Sequence, residues 1–497
     1  MGSKRIIASI GTLLCVLSVP SVLSAQVPFE QAARDLSSSD AGTRLRAVQM
    51  LRDAAYPQAA VPLARAVADT QDEIQLAAIA AELNIFFAER IVAKKRVAGI
   101  VEVRNQILAE PAFAAGPSAL GVLPVPTEVL DALRFAARDG NPRVAVEALY
   151  AFGALGWLPS GVERKELLRR SGPEVAALLG APDPVMRYAA ARVMGRLFGA
   201  RPQDDSIEAT VGDGVITALN DNDRSVKTAA MAALGTMRYQ RAVQALTDLF
   251  TFYGKGEVAE AALDALAHIA YATSAPLFVA QLAGTGSSTA RAIAVDGLTR
   301  IGDPARLTEI KAAADKDRGD AVALASAFAS AMLENGSIER IVDAVTKSRL
   351  RDRARGYIAE LAARRAASFG PHLIDPDERI RLELIEALGI AGDHTALPLL
   401  DPVLQDRDPQ VARAAERASA RLRARQYVAE IAARRASVFA AQLMDPDERI
   451  RLDIVDAIGL AGDPAALSLV EPLLKDRDEQ VMRAAERAAM RLRALTP

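Results

Sequence analysis

Residues 353–424 align with residues 423–494 at a shift of about 70, with about two thirds of the positions identical. A chain that repeats itself at such a period folds as units that bury their faces against one another. The segment Asp375–Leu382 returns unchanged as Asp445–Leu452, and Ala414–Ala418 returns as Ala484–Ala488. The likeness is that of a recent duplication.

Each unit holds two helix pairs. Ile380, Leu384, Ala387, Leu388 and Ala391 fall on one face of a helix. Arg379, Glu383 and Glu386 fall on other faces, with Arg379 and Glu383 at the i,i+4 spacing of an ion pair. Gly389 and Gly392 are expected to end this helix. Ala396, Leu397, Leu400, Val403 and Leu404 carry the next one. Asp406–Pro409 then reads as a turn and a helix start, with Asp as N-cap and Pro at the first helical position. Val411, Ala414, Ala415, Ala418 and Leu422 form the apolar face that follows.

The same grammar recurs upstream with more drift. Asp40 precedes Leu45 and Arg46, Asp72 precedes Ile74, and Asp139–Pro142 precedes Val144. Asp183 precedes Met186 and Arg187, Asp221 and Asp223 precede Val226 and Lys227, and Asp317–Asp320 precedes Val322. Weaker copies begin near Glu257 and Ser288. The chain is 51% hydrophobic but only 4% aromatic, which fits many small Ala- and Leu-rich helix contacts. No long segment alternates with period two, so no sheet is expected. The pattern predicts about a dozen helical hairpins in an all-α, right-handed solenoid.

The acidic turns followed by an aliphatic and then a basic residue, and the Leu388-Gly389 type of helix ending, resemble the HEAT-repeat family. The resemblance is nearer to its short-period branch, the phycobilisome-lyase-like HEAT repeats. It covers nearly the whole chain after the leader, though the spacing of roughly 30 to 40 residues is shorter than the usual HEAT period. The family is informative about fold and almost silent about function.

Residues 1–25 read as a secretory signal: Lys4 and Arg5, an uncharged run from Ile6 to Val19, Pro20, and Ala25 at the cut. The run is short for a membrane span. A retained anchor helix is the alternative, and a lipoprotein signal at Cys15 is opposed by bulky Leu13 and Leu14. Removal changes the net charge from −2 to −4 and takes away the only cysteine. No later apolar run is long enough to span a membrane. The expected location is therefore periplasmic or extracellular.

The remaining organisation follows. Residues 26–88 are N-terminal repeats. Residues 89–125 are an insert, with a basic helix from Arg90 to Arg104 and then a Pro-rich stretch expected to be a mobile loop. Residues 126–350 are central repeats and 351–497 the duplicated C-terminal repeats. A second interruption, 156–174, carries Trp157, Arg164, Lys165, Arg169 and Arg170.

The chemistry-bearing constellations are sparse. His268, His372 and His394 lie in different repeats without a metal-pair spacing, and no zinc motif is present. No Gly-rich phosphate loop or nucleophile elbow occurs. Gly284–Gly286 reads as a flexible turn. Asp213, Asp221 and Asp223 lack calcium-loop spacing. Arg318-Gly319-Asp320 occupies an inter-helix turn, and Asn335-Gly336-Ser337 fits a glycosylation acceptor. The expectation is no catalysis, no cofactor and no metal.

The recurring Arg and Asp residues remain. Arg46, Arg187, Arg381 and Arg451 stand at equivalent points, each a few residues after Asp40, Asp183, Asp377 or Asp447. The resemblance implies that such residues form a structural ladder between neighbouring turns. The alternative is direct ligand contact. The arginine-rich stretches of 351–497 are balanced by carboxylates, which opposes a polyanion groove.

The functional expectation is an exported scaffold that binds a protein or peptide along its concave face, which the second helix of each pair lines in the family. Candidate contact residues are Arg379, Glu383, Arg449 and Asp453. A tetrapyrrole-handling subunit is the rival that the resemblance brings. A HEAT-like nucleic-acid binder is the other, and the negative charge opposes it. At the C-terminal end, Ala412 becomes Met482, Ser419 becomes Ala489 and Ala420 becomes Met490. A capping helix should gain polar residues instead. This end is therefore expected to keep an apolar strip, with Met482 and Met490, that docks on a partner or on itself as a two-fold dimer.

Overall fold

The computed structural model describes residues 29–87, 94–97, 100–103, 108–121, 125–157, 162–199, 208–284, 286–317, 319–392, 394–434, 436–461 and 464–494. The expected signal segment, 1–25, lies outside them, as does Arg90.

Helical hairpins follow one another from Phe29 to Ala494. Most pair a short first helix, often opened or closed by a 3-10 turn, with a longer second helix. The second helices form one row: Ala41–Ala54, Asp72–Phe86, Pro142–Leu155, Pro184–Leu197, Arg224–Met237, Glu257–Ile269, Ser288–Ile301, Asp320–Leu333, Glu378–Ala391, Pro409–Arg434, Glu448–Ala461 and Glu479–Ala494. The first helices, such as Ala209–Thr217 and Val243–Tyr253, form the other row. The architecture is an all-α solenoid, as the sequence pattern predicts.

The start of several long helices is written in the preceding turn. The side chains of Asp40, Asp183, Asp223 and Asp377 accept from backbone N–H groups of the first turn at 2.7–2.9 Å. Asn141 does the same for Arg143 at 2.9 Å. Such caps satisfy donors that no intrahelical carbonyl can reach.

The spacing of the long row is set by glycine near the end of the helices. Gly389 is not a terminator: it lies inside Glu378–Ala391, and a Cβ there would stand 2.9 Å from the Ala418 Cα. Gly195, Gly235 and Gly459 face Ala233, Ala265 and Ala488 at 3.0 Å in the same way. Only hydrogen fits between these backbones. Among the described residues the hydrophobic core extends from Ala32 to Leu422 and from Ala436 to Leu492.

Three expectations are corrected. The described part of the basic run is not a helix: Lys94–Val97 and Ile100–Val103 pair as antiparallel strands, with Val97 opposite Ile100. Val97, Ile100, Val101 and Val103 are β-branched, and this preference outweighs the helical spacing of the charges. The Pro-rich stretch is also ordered, as helix Ala109–Ala115 and a 3-10 turn Pro117–Ala119. Ala109, Ala112 and Phe113 make a buried helical stripe that the prolines obscured. Pro111 sits in the first turn, where its missing N–H is not needed. Residues 162–177 do not interrupt the array: they are the first helix of a hairpin. Its Arg164, 3% exposed, donates to the carbonyls of Leu197 and Gly199 and so closes the end of Pro184–Leu197.

Candidate functional site: the inner face

The fifth, ninth and thirteenth residues after the cap make a stripe along the long helices that Asp183, Asp223 and Asp408 open. In Pro184–Leu197 they are Tyr188, Arg192 and Arg196, and in Arg224–Met237 they are Thr228, Ala232 and Thr236. In Pro409–Arg434 they are Arg413, Arg417 and Arg421. Arg192 and Arg196 touch Phe113 of the insert. Arg421, 303 positions beyond Ser118, donates to the carbonyl of that residue at 2.8 Å. Stripes so distant in sequence can meet one short segment only if the long row lines the inside of the curve.

Two segments fill parts of this inner face. The first is the insert. Its Ala109 N–H donates to Glu147 of Pro142–Leu155 at 2.8 Å. Glu110 accepts from Arg192 at 2.8 Å, and Phe113 lies against Tyr150 with ring centres 5.4 Å apart. The Arg196 guanidinium sits 4.1 Å from the centre of the Phe113 ring. The second is helix Arg351–Arg365. Its Arg353 and Tyr357 both hydrogen-bond the buried carboxylate of Asp296. Burial pushes the Asp296 pKa up, against the opposing charges of Arg353 and Arg300. Tyr357 stacks on Phe328 at 4.1 Å, and Arg300 pairs with Glu360 at 2.7 Å. These groups knit the helix onto Ser288–Ile301 and Asp320–Leu333.

Between the two lies an accessible strip. Thr228, Ala232 and Thr236 give it a small, uncharged floor. Glu260, Asp264 and His268, spaced by four on Glu257–Ile269, give it an acidic wall. His268 Nδ1 lies 2.9 Å from the Asp264 carbonyl oxygen and 3.4 Å from its carboxylate. Burial favours the neutral ring, but the hydrogen bond and charge of Asp264 outweigh it and raise the His268 pKa. Among the described residues, no group of three His, Cys, Asp or Glu side chains is placed to hold a metal ion.

The Arg–Asp ladder is present, with different partners. Each Arg stands four residues after the cap and reaches the turn of the next hairpin, not the Asp of its own. Arg187 donates to Asp221 through Nε and Nη2 at 2.6 and 2.9 Å, and its Nη1 holds the carbonyls of Ala181 and Pro182. Arg291 meets Asp317, Arg381 meets Asp406 and Arg451 meets Asp476 in the same manner. The N-terminal rung is Arg44 with Asp69, not Arg46. Arg46 stays exposed, 3.9 Å from Asp40. Asp183 and Asp377 serve as caps. Hydrogen bonds from Arg44, Arg187 and Arg451 hold Asp69, Asp221 and Asp476 below the ordinary Asp value, against a smaller effect of burial. The ladder is discontinuous: Ala145, Ala323 and Ala412 stand at the Arg position of their helices, and Lys227 takes it in 224–237 and donates to the Tyr253 hydroxyl at 3.3 Å.

The other candidates fall as follows. Glu383 pairs with Arg355 of the preceding helix, not with Arg379, which is exposed. Asp453 lies 3.4 Å from Arg423. Met482 is half-buried. The side chains of Arg449 and Met490 lie outside the described ones. Ala489 is 1% exposed and belongs to the core rather than to an apolar surface strip. Its counterpart Ser419 carries a buried hydroxyl without a partner among the described residues. Exchange of that Ser for Ala removes an unsatisfied group, which is a packing reason for the change. Sequence reasoning missed Arg192, Tyr150 and Arg421 as inner-face residues. The spacing of four from each cap could have found them.

The stacked hairpins, the capped turns and the inter-hairpin brackets define an α-solenoid with a lined inner face. Residues 172–251 match the family model described as HEAT repeats. Hairpins of the same build continue on both sides of the matched residues. A solved chain from a study of Kap95p binding to RanGDP matches 95% of this chain, at 13% identity and a TM-score of 0.32. This chain spans 62% of that one, a likeness too distant to bear on partners. None of the curated proteins matches.

Proposed function

We propose that this protein is a scaffold that binds a protein or peptide partner along its inner face and has no catalysis of its own. The observation that carries this reading is the accessible strip on helices 224–237 and 257–269, where Ala232 and Thr236 are exposed and Thr228, Glu260, Asp264 and His268 are half-buried. Its Ala and Thr floor admits close approach of a backbone, and Glu260 and Asp264 favour a partner with basic side chains. Crosslinking in the native host tests it. Crosslinks should converge on the strip, and Ala232→Arg with Asp264→Arg should abolish them. Crosslinks confined to the outer row, or a tight small-molecule ligand with no protein captured, would overturn it.

We also propose that the protein is exported. Among the described residues no helix is long and apolar enough to cross a membrane. Fractionation and N-terminal sequencing from the native host should find a chain that starts near Gln26 outside the cytoplasm. A cytoplasmic chain that retains Met1 would end the idea.

A further inference from the structure

The segment 109–120 is additional to the hairpin array. It is joined at its base, where Leu120 bridges Phe87 and the Gly121 N–H donates to the Phe86 carbonyl at 2.7 Å. From there it lies on ninth and thirteenth positions of two long helices, the positions that Ala232 and Thr236 leave exposed on the next. The seat is built for particular side chains. Arg192 donates to Glu110 at 2.8 Å and to the Tyr150 hydroxyl at 3.2 Å, with Phe113, Tyr150 and Tyr188 all within 5.4 Å of its guanidinium. Phe113 is enclosed, whereas the Glu110 side chain is 56% exposed. The far end is held by one group: Arg421 donates to the carbonyls of Pro117, Ser118 and Leu120.

We propose that segment 109–120 is an internal ligand of the inner face, a strap that a partner presenting the same chemistry displaces. That chemistry is a short helix with a carboxylate followed three residues later by an aromatic ring, as in Glu110 and Phe113. The proposal rests on the scaffold reading and adds the site and the kind of ligand it takes. The seat has the character of an exchangeable contact. Its carboxylate partner is half in water, its aromatic partner is gripped by two guanidinium groups, and its latch meets the strap through backbone carbonyls. Arg421 joins helix 409–434 to a segment that belongs to the N-terminal third, so release of the strap also unties the two arms of the curve. Tethering gives the strap a millimolar effective concentration at its seat, so a free ligand competes against that value.

A labelled peptide that copies residues 108–121 tests the proposal on the full chain. It should bind Glu110→Lys with Phe113→Ala at least ~10-fold more tightly than the unmodified protein, because the seat is vacated. Addition of Arg192→Ala should remove that binding. Equal binding to all three proteins, or none to any, overturns the proposal. Should the double variant fail to fold, Arg421→Ala gives a second reading by hydrogen exchange. Amides of 109–120 should exchange at least ~10-fold faster, with those of 224–237 unchanged. Identical exchange with and without Arg421 makes the segment a fixed part of the core and overturns the strap. A captured partner whose binding ignores all these variants overturns the strap and leaves the scaffold reading intact. Peptide exchange in a protein that captures no partner does the reverse.

Discussion

Glu82→Leu should stabilise the protein, and more so as pH rises. Glu82 stands eleven residues after the N-cap of helix 72–86, where the other long helices place Phe152, Met194, Leu234 and Leu388 in the core. It is 0% exposed, and neither carboxylate oxygen has a hydrogen-bond partner among the described residues. Burial raises its pKa well above 4.5, so the folded chain holds a proton that the unfolded chain releases. The sign follows. Below pH 4.5 both states are protonated and nothing is lost to ionisation. As pH rises toward the folded value, stability falls by up to about 1.4 kcal/mol per pH unit. Even the neutral carboxyl, unsatisfied and buried, costs about 1–3 kcal/mol. Leu removes both effects, so a gain of about 2–4 kcal/mol is expected at pH 7. Repeat arrays do not always unfold as one unit, so the readout is local. Amide exchange of 72–86 would be compared between the two proteins at pH 5 and pH 8, after correction for the intrinsic rate. Protection should rise in the variant at both values and the gap should widen at pH 8. Loss of protection at pH 8 would mean that the carboxylate has a partner, and the reasoning would fail.

Three further outcomes are expected. Arg187→Ala should cost about 2–3 kcal/mol in local protection of 184–197 and 224–237, because it strands the largely buried Asp221; an effect within 0.5 kcal/mol on the same amides would remove the bracket from the account. The brackets hold Asp below its ordinary value of 3.8, so their contribution should be complete above that value and be lost only as pH falls well beneath it; wild type and Arg187→Ala should then converge in acid unfolding, and failure to converge counts against the pairing. Gly235→Val should lower stability by about 1–3 kcal/mol through overpacking against Ala265, whereas exposed Thr236→Val should be close to neutral, as thermal melts of both would show.

Much of this molecule is readable from its residues because each hairpin repeats the same local instructions. The caps Asp183, Asp223 and Asp377 and the apolar spacing of Ile380, Leu384 and Leu388 point to the same helices. What escaped reading was the relation between hairpins. Arg187 has Asp183 and Asp221 as carboxylates on either side, and only the stacked geometry chooses the second. Gly389 has the look of a helix terminator, yet its role is set by Ala418 on the next helix. The inner face was hidden for the same reason. Arg421 and Ser118 share no local pattern, and their meeting depends on the curvature accumulated over the repeats between them.

The brackets also bear on how such a chain changes length. Arg381–Asp406 and Arg451–Asp476 each span 25 positions and each lie wholly within one copy of the duplicated unit. At the seam between copies, the residue that would bracket forward is Ala412, which has no charge to offer. A recombination event that adds or deletes a copy therefore severs no bracket and separates no Arg from its Asp. Copy number can drift without a compensating mutation, and relatives of this chain should differ in length by whole units rather than by single helices.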